Sequence, residues 1–285
     1  MTIGITTKSE LKDPHHYLHK SIELLKKAGV KVDLCPGTCR LVPGHKPALD
    51  FHKPYDILIV FGGDGTLLRT LQFMRNFECP VLAINMGRLG FFSEGVGRDY
   101  KKIIEKLLKK KYHLDQRMLL RCTVMRKDKR VFSKRSLNEV TIARDALARM
   151  VALKTTVDDL KLTTYVADGL IVGTPTGSTG YSLSAGGPVI SPSVDSIILT
   201  PISPHSFTQK PIVLPPSSAV KIHISTSEDR VYLTMDGQHG FHLKDNDLVK
   251  IKRSSKSLKL IRFTKNSYFQ TLRKKLHWGS DLAGR

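Results

Sequence analysis

The sequence predicts an α/β amino-terminal domain with an open parallel sheet, followed by an all-β, sandwich-like carboxy-terminal domain. Three observations point there. Continuous apolar runs alternate with helix-like stretches through the first part of the chain, the hydrophobic period changes to two from about Leu119, and prolines and Asp-Gly pairs then punctuate short strands. The expected divisions are 1–115, 116–265 and a final segment, 266–285.

Ile3 and Ile5 open a first strand. Asp13-Pro14 then reads as the N-cap and first residue of a helix that places Leu18, Ile22 and Leu25 on one face and stops at Gly29. Residues 30–34 form a second strand. The runs Ile57-Leu58-Ile59-Val60-Phe61 and Val81-Leu82-Ala83-Ile84 have the unbroken apolar character of strands covered on both faces. Between them 66–77 is helix-like, and Ile103, Ile104, Leu107 and Leu108 mark an amphipathic helix. Alternation follows in Leu120-Cys122-Val124, Val151-Leu153-Thr155-Val157, Val220-Ile222-Ile224 and Val231-Leu233-Met235, and 268–276 reads as a last helix.

The 285 residues, 40% hydrophobic and 25% charged, are long and apolar enough for packed cores and argue against a disordered chain. The start shows no signal-peptide core, and no stretch is long enough to cross a bilayer, so a cytoplasmic protein is expected. Cys35 and Cys39 raise the question of a metal. With no second close pair beside Cys79 and Cys122, reduced thiols are expected and no protein-held metal site. A net charge of +21 predicts attraction to anions. The run 250–275 holds ten Lys or Arg and no acid, yet no recurring aromatic platform, and reads as a solvated basic face.

Phe61-Gly62-Gly63-Asp64-Gly65-Thr66 stands where a buried strand meets a helix. There the helix N-terminus offers N–H groups to an anion, and the glycines let backbone approach phosphate. Asp64 is the odd member, because a carboxylate beside phosphate is repelled unless it meets a metal or handles a proton. The alternative is a structural role as helix N-cap. The segment is neither a Walker A loop nor a dinucleotide fingerprint. A second cluster, Gly173-Thr174-Pro175-Thr176-Gly177-Ser178-Thr179-Gly180-Tyr181-Ser182-Leu183-Ser184-Ala185-Gly186-Gly187, is dense in hydroxyls and free of charge, with Tyr181 offering a ring face. Asn138-Glu139 lies in a strand-like stretch and suits an adenine edge, but carries nothing alone. Asp168-Gly169 reads equally as a hairpin turn.

In order along the chain, Gly62-Gly63-Asp64-Gly65-Thr66, Asn85-Met86-Gly87-Arg88-Leu89-Gly90-Phe91-Phe92, Asn138-Glu139, Asp168-Gly169, the Thr/Gly/Ser cluster, Pro201-Ile202-Ser203-Pro204-His205-Ser206 and Asp236-Gly237-Gln238 resemble the NAD kinase family over roughly residues 1–265. The first element is shared with diacylglycerol and sphingosine kinases. The Asn-Glu pair and the long cluster look specific to NAD kinases.

The resemblance implies that the chain end returns to pack on the first domain. It implies phosphoryl transfer from ATP or another donor to the 2′-hydroxyl of NAD's adenosine ribose, with Mg²⁺ accompanying the donor. Asp64 matches the catalytic aspartate and Gly65 the same turn. Asn138, Glu139, Asp168, Thr179, Gly180, Tyr181, Ser182, Leu183 and Ser184 match dinucleotide-contacting positions, Gln238 is more distant, and Arg69 and Arg149 fall where the family often places a basic contact. Gly180 departs from an alanine common among relatives. A homodimer or homotetramer is implied, with Asp168 acting across an interface. The alternatives are a lipid kinase, for which no membrane-docking helix is visible, and a nucleic-acid binder, for which no reading motif is found.

Overall fold

A computed structural model describes residues 1–8, 15–42, 44–75, 77–87, 90–145, 149–226, 230–264 and 267–277. The chain divides into two compact units, Met1–Gln116 with Leu258–Arg285, and Arg117–Ser257.

In the first unit, β1 (Thr2–Thr7), β2 (Lys31–Leu34), β3 (Ile57–Phe61) and β4 (Val81–Ile84) form a parallel sheet in the order β2-β1-β3-β4. Every residue of β3 and β4 is buried, as their unbroken apolar runs require. Helices α1 (His15–Lys27), the single turn α2 (Pro36–Cys39), α3 (Asp64–Phe73) and α4 (Tyr100–Leu108) connect the strands or follow them. Leu18, Ile22 and Leu25 of α1 and Ile103, Ile104 and Leu107 of α4 are buried in one cluster with the sheet. The expected Asp13-Pro14 cap lies outside the described residues. Helix α3 begins two residues earlier than the apolar pattern suggests, because extended Gly63 serves as N-cap and puts Asp64 in the first turn.

The second unit is a sandwich. It contains β5 (His113–Arg126), β6 (Lys129–Ser136), β7 (Glu139–Arg144), β8 (Val151–Val157), β9 (Leu160–Ala167), β10 (Gly169–Gly173) and the single turn α5 (Tyr181–Ser184). Strands β11 (Ile197–Ile202), β12 (Ile212–Leu214), β13 (Val220–Ser225), β14 (Val231–Met235), β15 (His239–Leu243) and β16 (Leu248–Arg262) complete it. One antiparallel sheet runs β12-β11-β10-β7-β14-β15; the other runs β16-β13-β8-β9, with β5 on β16 and β6 on β5. Inward residues of both sheets, among them Leu120, Val140, Ile142, Leu170, Val172, Ile222 and Ile251, share one core. Turns with both central residues at positive φ close the hairpins at Lys127-Asp128, Asp158-Asp159 and Asp236-Gly237. Asp168 instead marks the step from β9 to β10, which lie in different sheets, so no hairpin forms there.

Leu258 onward belongs to the first unit, where Leu260 of β16 pairs in parallel with Val81. The last helix, α6 (Ser267–Leu276), is in the same unit.

Candidate active site

In the first unit the chain leaves β3 through Gly62, whose φ is 156° and at which a Cβ would stand 2.7 Å from Thr66 Cβ. Only glycine fits that bend. Asp64 follows at the start of α3, half-buried, with Gly65 exposed beside it. Asp64 is not the helix cap. Its carboxylate accepts the N–H of Phe91 at Oδ2 (2.9 Å) and that of Phe92 at Oδ1 (3.2 Å). Two backbone donors thus fix its plane, and each oxygen keeps a lone pair for another partner.

The segment supplying those donors is the one read as Asn85 to Phe92, of which Arg88 and Leu89 lie outside the described residues. Asn85 Oδ1 accepts the N–H of Gly87 (2.8 Å), and Gly90 N–H donates to Ser93 Oγ (2.9 Å), which shapes the turn. Gly90 lies directly against Asp64. Arg69, exposed on α3, is about 140° around the helix from Asp64 by helical geometry. It lines a different hollow of about 330 Å³ with Thr6, Thr7, Cys35, Phe51 and Phe73. The four cysteines are free thiols, and Cys35 Sγ donates to Thr6 Oγ1 (3.3 Å). Among the described residues no three His, Cys, Asp or Glu side chains gather as metal ligands.

In the second unit Asn138-Glu139 sits at a bend between β6 and β7. The bend is held from inside by Asp236, which is 3% exposed. Its carboxylate accepts the Ser136 hydroxyl and the N–H groups of Leu137 (3.0 Å), Asn138 (2.7 Å) and Glu139 (3.2 Å). Burial pushes the Asp236 carboxyl up against the pull of these four donors. Glu139 is pushed up to about 8, by burial first and then by Asp236's charge. At neutral pH it is therefore a protonated carboxyl able to donate.

Asn138 Oδ1 and Glu139 Oε2 are buried with no hydrogen-bond partner among the described residues. Such orphaned atoms are uncommon in folded proteins and mark a place for a ligand. The Thr/Gly/Ser cluster packs on this bend. Thr174 N–H donates to Asn138 O (2.8 Å) and Thr174 Oγ1 to Leu137 O (2.5 Å). Arg117 Nη1 reaches Thr176 Oγ1 (3.4 Å). A Cβ at Gly180 would lie 3.5 Å from Glu139 Oε2 and 3.9 Å from Asn138 Nδ2. Thr179 is half-buried, and Tyr181 and Ser184 are exposed. Ser182 is fully buried, with its hydroxyl engaged by Thr200 (2.8 Å), so it shapes the turn from within. Leu183 is half-buried, and Gln238 is exposed on the turn that Asp236 begins.

Asp168 is not part of that group. Gly169 pairs with Ala143 and Gly173 with Glu139, which puts Asp168 and Glu139 at opposite ends of a strand pair, roughly 17 Å apart at strand rise. Asp168 instead binds Arg144 (Nε–Oδ1 2.7 Å). Arg149 is near that end too, since Val151 pairs with Ala167. Ser136 and Arg144 were not singled out by sequence, and Gly90 and Asp236 stood only as members of motifs, with no role given to either. Asp236 had a further visible signal, its place in an Asp-Gly turn.

A glycine-lined strand-to-helix turn presenting a carboxylate, and a β-sandwich presenting unpaired amide and carboxyl atoms, are features that suit a phosphotransferase handling a nucleotide. Residues 46–112 match the ATP-NAD kinase N-terminal domain and residues 137–263 the ATP-NAD kinase C-terminal domain. The NAD kinase of Geobacter sulfurreducens is 43% identical over 224 residues, 79% of either chain. That of Solibacter usitatus is 37% identical over 280 residues, covering 98% of both. Yeast NADH kinase, solved with NADH, superposes with a TM-score of 0.90 at 27% identity, over 98% of this chain and 88% of its own. An Archaeoglobus fulgidus NAD kinase solved with ATP gives 0.75 at 26%, over 97% and 99%. The chain belongs to the NAD kinase family.

Proposed function

We propose that the protein transfers a phosphoryl group from ATP or another donor to the 2′-hydroxyl of NAD's adenosine ribose. The observation that carries this is the pair of orphaned atoms, Asn138 Oδ1 and Glu139 Oε2, beside Gly180. An adenosine supplies what they lack. Its amino group donates to Asn138 Oδ1, the Asn138 amide returns a donor to the ring, and a ribose hydroxyl pairs with the Glu139 carboxyl. Thr179 and Ser184 add hydroxyls, and Tyr181 a ring face. Leu183 adds an apolar wall, and Ser182 supports the turn.

Asp64 aligns the 2′-hydroxyl and takes its proton as the new P–O bond forms, the donor's terminal P–O bond breaks, and the electron pair leaves with the shortened donor. Its free lone pairs also fit one coordination position of a divalent cation carried by the donor. A Mg²⁺ held at Asp64 would neutralise phosphate charge. Gly65 leaves backbone N–H groups of the helix start open to phosphate. Arg69, in its own hollow beside Cys35, and Arg149, at the Asp168 end, fit phosphate only as outlying positive charges, and Gln238 is a more distant polar contact.

We also infer a homodimer or homotetramer in the cytoplasm. Asp168 is far from Asn138 in its own chain, and Asp168 of a second copy completes the NAD pocket. The described residues contain no helix long and apolar enough to cross a membrane. The surplus of +21 implies only weak, sequence-independent attraction to nucleic acid that fades as salt rises. The test is incubation of purified protein with NAD, Mg²⁺ and separate donors, followed by detection of NADP. Phosphorylated lipid without NADP would point to the lipid-kinase alternative.

A further inference from the structure

Arg262 closes β16 and is 4% exposed. Its Nη2 donates to Phe91 O (3.1 Å), and its Nη1 to Phe92 O (3.2 Å) and Glu94 Oε1 (2.8 Å). Its Nε donates to Asp115 Oδ2 (3.1 Å), and Glu94 Oε2 accepts the N–H of Phe263 (2.7 Å). The carbonyls held by Arg262 belong to the same two residues whose N–H groups hold Asp64. The Phe91–Phe92 peptide is shared outright, with a guanidinium on its C=O and the Asp64 carboxylate on its N–H.

We propose that Arg262 is a positioning residue for Asp64, acting through the Phe91–Phe92 peptide. A cation on a carbonyl draws electron density along the peptide and makes its N–H a stronger donor. The rigid fork of arginine also reaches both carbonyls at once, fixing the two N–H groups relative to each other and so the plane of the carboxylate. Glu94 and Asp115 balance the buried charge and hold the fork in place. A lysine has the charge but no fork, and cannot span these four acceptors. The proposal rests on the reading of Asp64 as the group that meets the ribose hydroxyl.

The experiment compares Arg262→Lys with the parent, alone and in an Asp64→Asn background. The expected result is a fall in kcat of at least about tenfold with KM for NAD and ATP within about threefold, the pattern of an interaction made in the transition state. In the Asp64→Asn background the same change should cost less than about twofold, because residues acting as one unit are non-additive. An unchanged kcat, or a further tenfold loss without the Asp64 carboxylate, overturns the proposal. If Arg262→Lys does not fold, Arg262→Gln with Glu94→Gln removes both buried charges together and takes the same comparison. Amide hydrogen exchange at Phe91 and Phe92 needs no activity. Faster exchange in the variant supports the proposal and unchanged exchange overturns it, even if the parent makes no NADP and the phosphotransfer reading itself fails.

Discussion

Gly90 stands against Asp64 so closely that a Cβ there would lie 2.6 Å from the carboxylate carbon and 2.7 Å from Oδ2. The carboxylate occupies the space that a side chain would need. Gly90→Ala should therefore leave both cores intact while forcing Asp64 off its two N–H donors. A kcat loss of at least about tenfold in a protein with a near-parental melt is expected, on the scale of misplaced catalytic groups. Parental turnover would show that the grip on Asp64 is dispensable.

Asp64→Asn keeps the size but offers one acceptor where two N–H groups call for two. The helix cap is Gly63, so no cap is lost. The stability cost should be about 1 kcal/mol for the unmet bond, whereas loss of the proton acceptor should lower turnover at least ~100-fold. Kinetics at saturating NAD and donor, alongside a thermal melt, separate the two; near-normal turnover returns Asp64 to a structural role.

Glu139 makes stability depend on pH. Its carboxyl moves from an ordinary 4.5 to about 8 on folding, so between those values the folded state keeps a proton that the unfolded state has released. Stability from this group is full below 4.5 and is lost as pH rises through about 8. The slope is at most about 1.4 kcal/mol per pH unit. Glu139→Gln should gain on the parent steadily from pH 5 to pH 8.5 in thermal melts. A constant offset across that range contradicts the buried, protonated state.

Gly177 and Gly180 should behave oppositely. A Cβ at Gly177 would be 2.6 Å from the Asn138 carbonyl carbon, which is backbone and cannot swing away. At Gly180 the nearest atom would be Gly177 O at 3.2 Å, a distance met by small adjustment. Gly177→Ala is expected to raise KM for NAD about tenfold or more by displacing Asn138. Gly180→Ala is expected to stay within about threefold of the parent, and equal losses at the two positions would argue against this packing.

If Asp168 meets NAD, as the proposed function has it, its separation from Asn138 requires a second copy, and self-association is expected. Light scattering at assay concentration should show at least a dimer, and Asp168→Asn should weaken NAD binding without dissociating it. A fully active monomer refutes the shared pocket.

The local signals survived folding. The unbroken Ile57-Leu58-Ile59-Val60-Phe61 run became a buried parallel strand, the period-two stretches became a sandwich, and Gly62-Gly63-Asp64 fell at a strand-to-helix turn, because each is decided by neighbours in sequence. Asn138-Glu139 carried weight only through its company. The hidden part is what reaches across the chain. Asp236 reads as a turn residue, which it is, while its carboxylate serves a bend 98 positions away at Asn138. Arg262 reads as one charge in a basic run, although its guanidinium is buried on residues 170 positions earlier. No window of periodicity records such pairings. Asp168-Gly169 was open between a site residue and a hairpin turn, and the dipeptide lies where the chain changes sheets, so the hairpin reading falls.

The first unit is assembled from two separate stretches, 1–116 and 258–285, with 117–257 inserted between them. On a ribosome the sandwich segment can emerge and fold as one continuous piece, whereas Asp64 and Phe91 must wait for Arg262. At roughly 5–20 residues per second the interval between Phe91 and Arg262 lasts on the order of 10–30 s. During synthesis the nascent chain therefore has its aspartate long before that aspartate is braced.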